Sequence, residues 1–137
     1  MLKARIAVFV SGGGTNLQAL LDAQKENKIP HGDIVLVVSG NPEAYALERA
    51  KKAQVEALTV FRRDYPSQSE YEDALAAVLN EKGIDMIILA GFMTILGERF
   101  VSRYPERIIN VHPALIPSFC GEGCYGLRVH EAALRYG

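Results

Sequence analysis

The chain has 137 residues, 49% hydrophobic and 23% charged, with 15 basic residues against 16 acidic ones. That length suffices for one domain with a real core, and the near-cancelling charge gives no reason to expect nucleic acid or an anionic membrane as partner. No apolar run approaches the ~20 residues of a membrane span, and the two cysteines make no disulfide framework, so a single domain over residues 1–137 with a cytoplasmic location is expected.

Arg5 to Val10 is a continuous β-branched and aromatic run, the pattern of a buried parallel strand. It is too short for a signal-peptide core, and a polar, glycine-rich turn follows at once. That turn is Ser11-Gly12-Gly13-Gly14-Thr15-Asn16, and Leu17, Leu20 and Leu21 then recur at helical spacing. Strand, glycine turn and helix together present free backbone N–H groups to a phosphate at a helix N-terminus. Gly14, Thr15 and Asn16 are the candidates for that contact; a tight turn that binds nothing is the alternative. The dinucleotide fingerprint fails because Leu17 stands at its third glycine. No acidic residue follows the second strand, Ile34 to Val38, and no Gly-Lys-Ser/Thr occurs. A single terminal phosphate suits the loop better than a nucleotide.

Ala44 to Ala53 reads as a second helix anchored by Leu47, and Ala57 to Phe61 as a short third strand. Arg62 and Arg63 then form a solvated loop pair. A third helix starts near Ser67 or Ser69, since Ser67 with Glu70 and Ser69 with Glu72 both have capping-box spacing. Its buried stripe is Tyr71, Leu75, Val78 and Leu79, and Gly83 ends it in the left-handed conformation. Ile84 to Ala90 is almost wholly apolar and reads as an interior strand. The loop after it, Gly91-Phe92-Met93-Thr94-Ile95-Leu96, is unusually apolar for a surface connection. It either lines a pocket for a flat ring system or packs beneath the next helix, Gly97 to Arg103.

Ile108 to Val111 reads as a fifth strand stopped by Pro113. Alternation puts Asn110 and His112 on one side of its carboxyl end, where parallel α/β sheets bind ligands. An amide and an imidazole aimed at one spot can steady an oxyanion and handle a proton near neutral pH; a strand end that only satisfies loop backbone is the alternative. Cys120 and Cys124, with His130 on a last helix from about Leu127 to Tyr136, are weak evidence for zinc, and no metal is expected.

The strand-helix alternation predicts an α/β fold, a Rossmann-like mostly parallel sheet with helices on both faces. The glycine loop, the apolar loop and Asn110 with His112 then share one edge of one sheet. Three segments, Ser11 to Ala19, Leu89 to Met93 and Ile109 to Pro117, together resemble phosphoribosylglycinamide formyltransferase of purine biosynthesis, collinearly over the whole chain. The resemblance implies transfer of a formyl group from 10-formyltetrahydrofolate, as co-substrate, to the amine of glycinamide ribonucleotide. It implies that Gly14, Thr15 and Asn16 hold the substrate phosphate and that Met93, Thr94, Ile95, Leu96 and Asn110 contact folate. Asn110 and His112 would be the catalytic pair, with no metal.

Thr94 and Gln68 stand where relatives often carry arginine, Arg128 where many carry histidine, and the Cys120 to Tyr125 loop looks longer. These departures touch the folate side more than the reaction. The family's catalytic aspartate, which raises the histidine pKa, has no counterpart among residues 1–137. The expectation is therefore an amino-terminal portion, missing its C-terminal strands, nearly inactive alone and prone to dimerise or self-associate through an exposed sheet edge. The other readings are a formyltetrahydrofolate hydrolase or methionyl-tRNA formyltransferase, and a non-catalytic phosphate-binding module.

Overall fold

A computed structural model describes residues 3–111. The strands are β1 (Ala4–Val10), β2 (Gly32–Ser39), β3 (Glu56–Thr59), β4 (Met86–Ala90) and β5 (Ile108–Val111). The helices are α1 (Thr15–Lys25), α2 (Ala46–Lys52), α3 (Gln68–Glu81) and α4 (Glu98–Val101), with a single 3-10 turn at Arg62–Asp64. The five strands form one sheet in the order β3-β2-β1-β4-β5, and every pairing is parallel. β1 lies between β2 and β4, so the order reverses there. The carboxyl ends of β1 and β4 flank the switch point at which such sheets form their ligand crevice.

Both faces of the sheet are covered. Leu17, Leu21, Ala46 and Ala50 of α1 and α2 pack with Ile6, Val8, Val10, Val37 and Ile88. Tyr71, Leu75, Leu79 and Phe100 of α3 and α4 pack with Ala7, Phe9, Leu36, Val38 and Ile87. Strict alternation along β1 divides it between the two cores. Ile6 pairs with Ile34 but Ala7 with Leu36, so the register slips by one residue at Val35. The extra residue lets Val35 and Leu36 both serve the α3 side before alternation resumes.

The helix ends follow their sequence signals. Ser67 caps α3, its hydroxyl accepting from Glu70 N at 3.1 Å. Of the two capping-box spacings, Ser67 with Glu70 is therefore the one used. At the other end Gly83 adopts φ 64°. Ile84 N donates to Leu79 O at 3.0 Å and Gly83 N to Asn80 O at 3.2 Å, the paired bonds of a Schellman stop.

Three expectations need correction. The anchors of α2 are not Leu47, which is half-buried, but Ala46 and Ala50, with the buried Ala44 just before the helix. This helix packs by small residues because the glycine loop presses directly on it. Val78 is likewise half-buried, and Ala76 and the carboxylate-bearing Glu72 are buried instead. The helix expected over 97–103 is only Glu98–Val101, followed by turns. The predicted loop after Pro113, the cysteine segment, His112, His130 and the last helix lie outside the described residues.

Replacing Leu75 by Ala should cost about 2–5 kcal/mol, because a fully buried side chain leaves a cavity between α3 and the sheet. Leu47→Ala should cost under ~1.5 kcal/mol, since half-buried apolar area returns less on burial. Urea denaturation of both variants checks the order, and equal losses would contradict this account of the core.

Candidate active site

The glycine loop is built by α2 as much as by its own glycines. Gly14 is the N-cap of α1 at φ 82° and ψ 28°, a left-handed conformation, and no side chain caps the helix. The first amides of α1 are thus left to a ligand or solvent at the positive end of an 11-residue helix. Gly12 O accepts from Ala46 N at 3.1 Å, and Gly13 O accepts from Arg49 Nε at 2.7 Å. Arg49 also donates to Gln18 Oε1 at 3.3 Å and lies over the Tyr45 ring, 5.1 Å from its centroid. A Cβ on Gly14 would sit 2.6 Å from Ala46 Cβ, whereas one on Gly12 or Gly13 would meet nothing within 4 Å. Gly14 is glycine because its φ is positive and α2 crowds it, whereas Gly12 and Gly13 face open space.

The loop after β4 combines its two readings. Phe92 packs edge-on against Phe9 with ring centroids 5.2 Å apart, and Leu96 is buried in the α3-side core. Between them Met93 is 83% exposed and Ile95 78% exposed. Of the four loop residues expected on folate, Met93 and Ile95 therefore present side chains, Thr94 is half-buried, and the Leu96 side chain belongs to the core. The loop is tied to the glycine turn, because Met93 N donates to Ser11 Oγ at 2.8 Å. It also touches the end of β2, where a Cβ on Gly40 would lie 3.0 Å from Thr94 Oγ1 and 3.1 Å from Phe92 Cε1.

Asn110 is half-buried near the carboxyl end of β5, in register with Leu89 of β4. It shares the parity of Ile108, which is buried in the α3-side core, and stands at the ligand edge. His112 lies outside the described residues.

Several residues at this edge carried no motif. Arg62 is not a solvated partner of Arg63. It is half-buried and donates to Gln68 Oε1 at 3.0 Å and Tyr65 O at 2.9 Å. The buried Glu72 accepts from Gly97 N and from Gln68 Nε2, each at 2.7 Å. A carboxylate inside the buried stripe of an amphipathic helix was the available signal, but the capping-box spacing gave it an ordinary explanation. The Tyr71 hydroxyl is buried and makes no well-formed hydrogen bond. Burial pushes its pKa up to about 12, and the nearby Thr94 hydroxyl opposes that shift without cancelling it.

Among the described residues no group of His, Cys, Asp and Glu is arranged to hold a metal ion, and no helix is long and apolar enough to cross a membrane. A cleft of about 650 Å³ opens between α1 and α2, lined by Gln18, Asp22, Lys25, Arg49 and Lys52 among others. None of the residues expected to hold phosphate or folate lines it.

The sequence profile of the formyl transferase family matches residues 4–137. The chain belongs to the formyl transferase family. Within the family it is 40% identical over 121 residues to the phosphoribosylglycinamide formyltransferase of Haemophilus influenzae, an alignment covering 88% of this chain and 57% of that protein. The chloroplastic phosphoribosylglycinamide formyltransferase of Arabidopsis thaliana is 35% identical over 136 residues, covering 98% and 46%. The crystal structure of phosphoribosylglycinamide formyltransferase from Brucella melitensis superposes with a TM-score of 0.78 at 38% identity, over 97% of this chain and 66% of that one. The chain thus spans about half the length of these curated relatives. The two agree in fold.

Two predictions follow from the geometry. Gly14→Ala should destabilise the fold by about 2–4 kcal/mol, from the positive φ together with the clash on Ala46. Gly13→Ala should cost less than about 1 kcal/mol, because its Cβ has open space. Thermal unfolding of the pair checks this, and a harmless Gly14→Ala would show that α2 does not fix the loop.

The second concerns alkaline pH. With its folded pKa near 12 against an ordinary 10.0, Tyr71 keeps its proton in the folded state where the unfolded chain loses it. Its contribution is complete below pH 10 and falls away as pH rises through 12. Tyr71→Phe should therefore lose less stability than the parent between about pH 10 and 12, the window the two pKa values define. Parallel curves would mean that the hydroxyl is not held in a water-poor site.

Proposed function

We propose that this protein, through one formyltransferase domain at residues 1–137, takes part in the transfer of a formyl group from 10-formyltetrahydrofolate to the amine of glycinamide ribonucleotide, with low activity from these residues alone, and that it is located in the cytoplasm. The observation that carries the reading is the junction at the ligand edge. An uncapped helix N-terminus, an apolar shelf of Met93 and Ile95, and Asn110 stand at the carboxyl ends of β1, β4 and β5. The names of the relatives support it.

In this reading the amides of Gly14, Thr15 and Asn16 hold the ribonucleotide phosphate. Met93, Ile95, Thr94, the Leu96 backbone and Asn110 contact the folate ring. The amine nitrogen attacks the formyl carbon, and negative charge gathers on the formyl oxygen. The Asn110 amide and a protonated His112 stabilise that charge, each donor lowering the barrier by roughly 3 kcal/mol. The bond from carbon to the folate nitrogen then breaks. The proton lost by the amine reaches that nitrogen through His112 or a bridging water. The step needs no metal. The apolar β5 edge, with Ile109 half-buried, is the surface proposed for self-association.

The test is an assay of the purified protein with 10-formyltetrahydrofolate, with and without glycinamide ribonucleotide. Slow formylation of the ribonucleotide is expected from residues 1–137, which hold no counterpart of the family's aspartate, and Asn110→Ala should reduce it roughly 100- to 1000-fold in kcat. Release of formate without the ribonucleotide would instead identify a hydrolase. Phosphate binding with no turnover would identify a binding module.

A further inference from the structure

We propose that Glu72, acting with Gln68, is a positioning residue that sets the apolar shelf at the height needed to receive the flat ring of the formyl donor. The proposal rests on the function proposed above and adds residues to it.

The shelf poses a physical problem. Met93 and Ile95 are 83% and 78% exposed, so their own burial does not hold the loop in place. Apolar side chains facing water gain nothing from that pose until a ligand covers them. Something else must fix the backbone.

The first turns of α3 supply it. Gln68 and Glu72 are four residues apart and lie on one face of the helix. Glu72 is 3% exposed and is, with Ser39, one of two buried polar or charged residues among those described. Its Oε2 accepts from Gly97 N at 2.7 Å and from Gln68 Nε2 at 2.7 Å. Gln68 Nε2 also donates to Ile95 O at 3.0 Å, and Gln68 Oε1 accepts from Arg62 Nε at 3.0 Å. The carbonyl of Ile95 and the amide of Gly97 are thus gripped on either side of Leu96, whose side chain is seated in the core. With both neighbours of Leu96 held, Ile95 has little freedom in where it points.

Two details favour positioning over simple stabilisation. The bonds converge on the backbone of the shelf, while the ties that join α4 and the turn after it to α3 run elsewhere, through Arg99 and Arg103 to Asp73 at 3.2 and 3.1 Å. The site also admits no side chain at residue 97, because a Cβ on Gly97 would sit 2.9 Å from Glu72 Oε2. That oxygen is the tip of a side chain, but two short hydrogen bonds restrain it. A methyl group there displaces the carboxylate from the amide it holds.

The experiment compares the unsubstituted protein with Glu72→Ala, Glu72→Gln, Gln68→Ala and Gly97→Ala. Backbone hydrogen exchange over residues 93–98 is read alongside separate titrations of tetrahydrofolate and glycinamide ribonucleotide. Glu72→Ala should speed exchange at Gly97 while β1 and β4 keep their protection. It should weaken tetrahydrofolate roughly tenfold or more, the size expected for loss of charge-assisted bonds, with the ribonucleotide changed less than about twofold. Glu72→Gln, which keeps an acceptor oxygen, should recover part of the folate affinity. Gln68→Ala and Gly97→Ala, which keep glutamate at position 72, should weaken folate in the same direction even if Glu72→Ala fails to fold. Equal loss for both ligands, or faster exchange with unchanged folate affinity, would overturn the proposal. If the unsubstituted protein binds no folate, the proposed function fails and the folate half of this proposal with it. The exchange comparison would still decide whether Glu72 holds the loop.

Discussion

Everything at the ligand edge depends on the double burial of β1. Ala7, Val8, Phe9 and Val10 are wholly inaccessible, because β1 is paired on both edges and covered on both faces. A strand in that position cannot shift without disturbing both cores. Its last residue, Val10, accepts from Gly40 N at 2.8 Å and so fixes where β2 ends as well. The turn that leaves β1 must then climb over the sheet edge within a few residues and enter α1. Three consecutive glycines make that path sterically open.

That turn is held from behind. Arg49 and Ala46 take the carbonyls of Gly13 and Gly12, and the Gly14 position tolerates no side chain against α2. The result is a preformed helix N-terminus, whose free amides and dipole favour an anion before any ligand arrives. Arg49 does this while spending its guanidinium on Gly13, Gln18 and the Tyr45 ring, so its role is architectural.

The loop after β4 obeys a different balance. Phe92 and Leu96 contribute core burial at its two ends, and Met93 and Ile95 give up burial between them. Polar bonds to Ser11, Gln68 and Glu72 hold the backbone where apolar packing does not. A site built this way is rigid at its supports and apolar at its face. That combination suits the face of a flat ring, since little ordering remains to be done on binding.

Local chemistry made much of this legible in the sequence. The five strands, the Ser67 cap, the Gly83 stop, the glycine turn and the placement of Asn110 at a strand end follow from periodicity, capping and turn rules. All of these act over a few residues. The motif segments likewise carried the family, because each is a contiguous run. What only the tertiary structure decided involves partners far apart in the chain. Ala46 rather than Leu47 anchors α2 because Gly14, more than thirty residues earlier, leaves room only for a methyl group. Glu72 is buried because the amide of Gly97, 25 residues later, meets it, and no helical rule looks that far. Arg62 turns inward because Gln68 offers it an acceptor while itself reaching across to Ile95. Local energies write the elements into the sequence; contacts between those elements exist only once the sheet has brought them together.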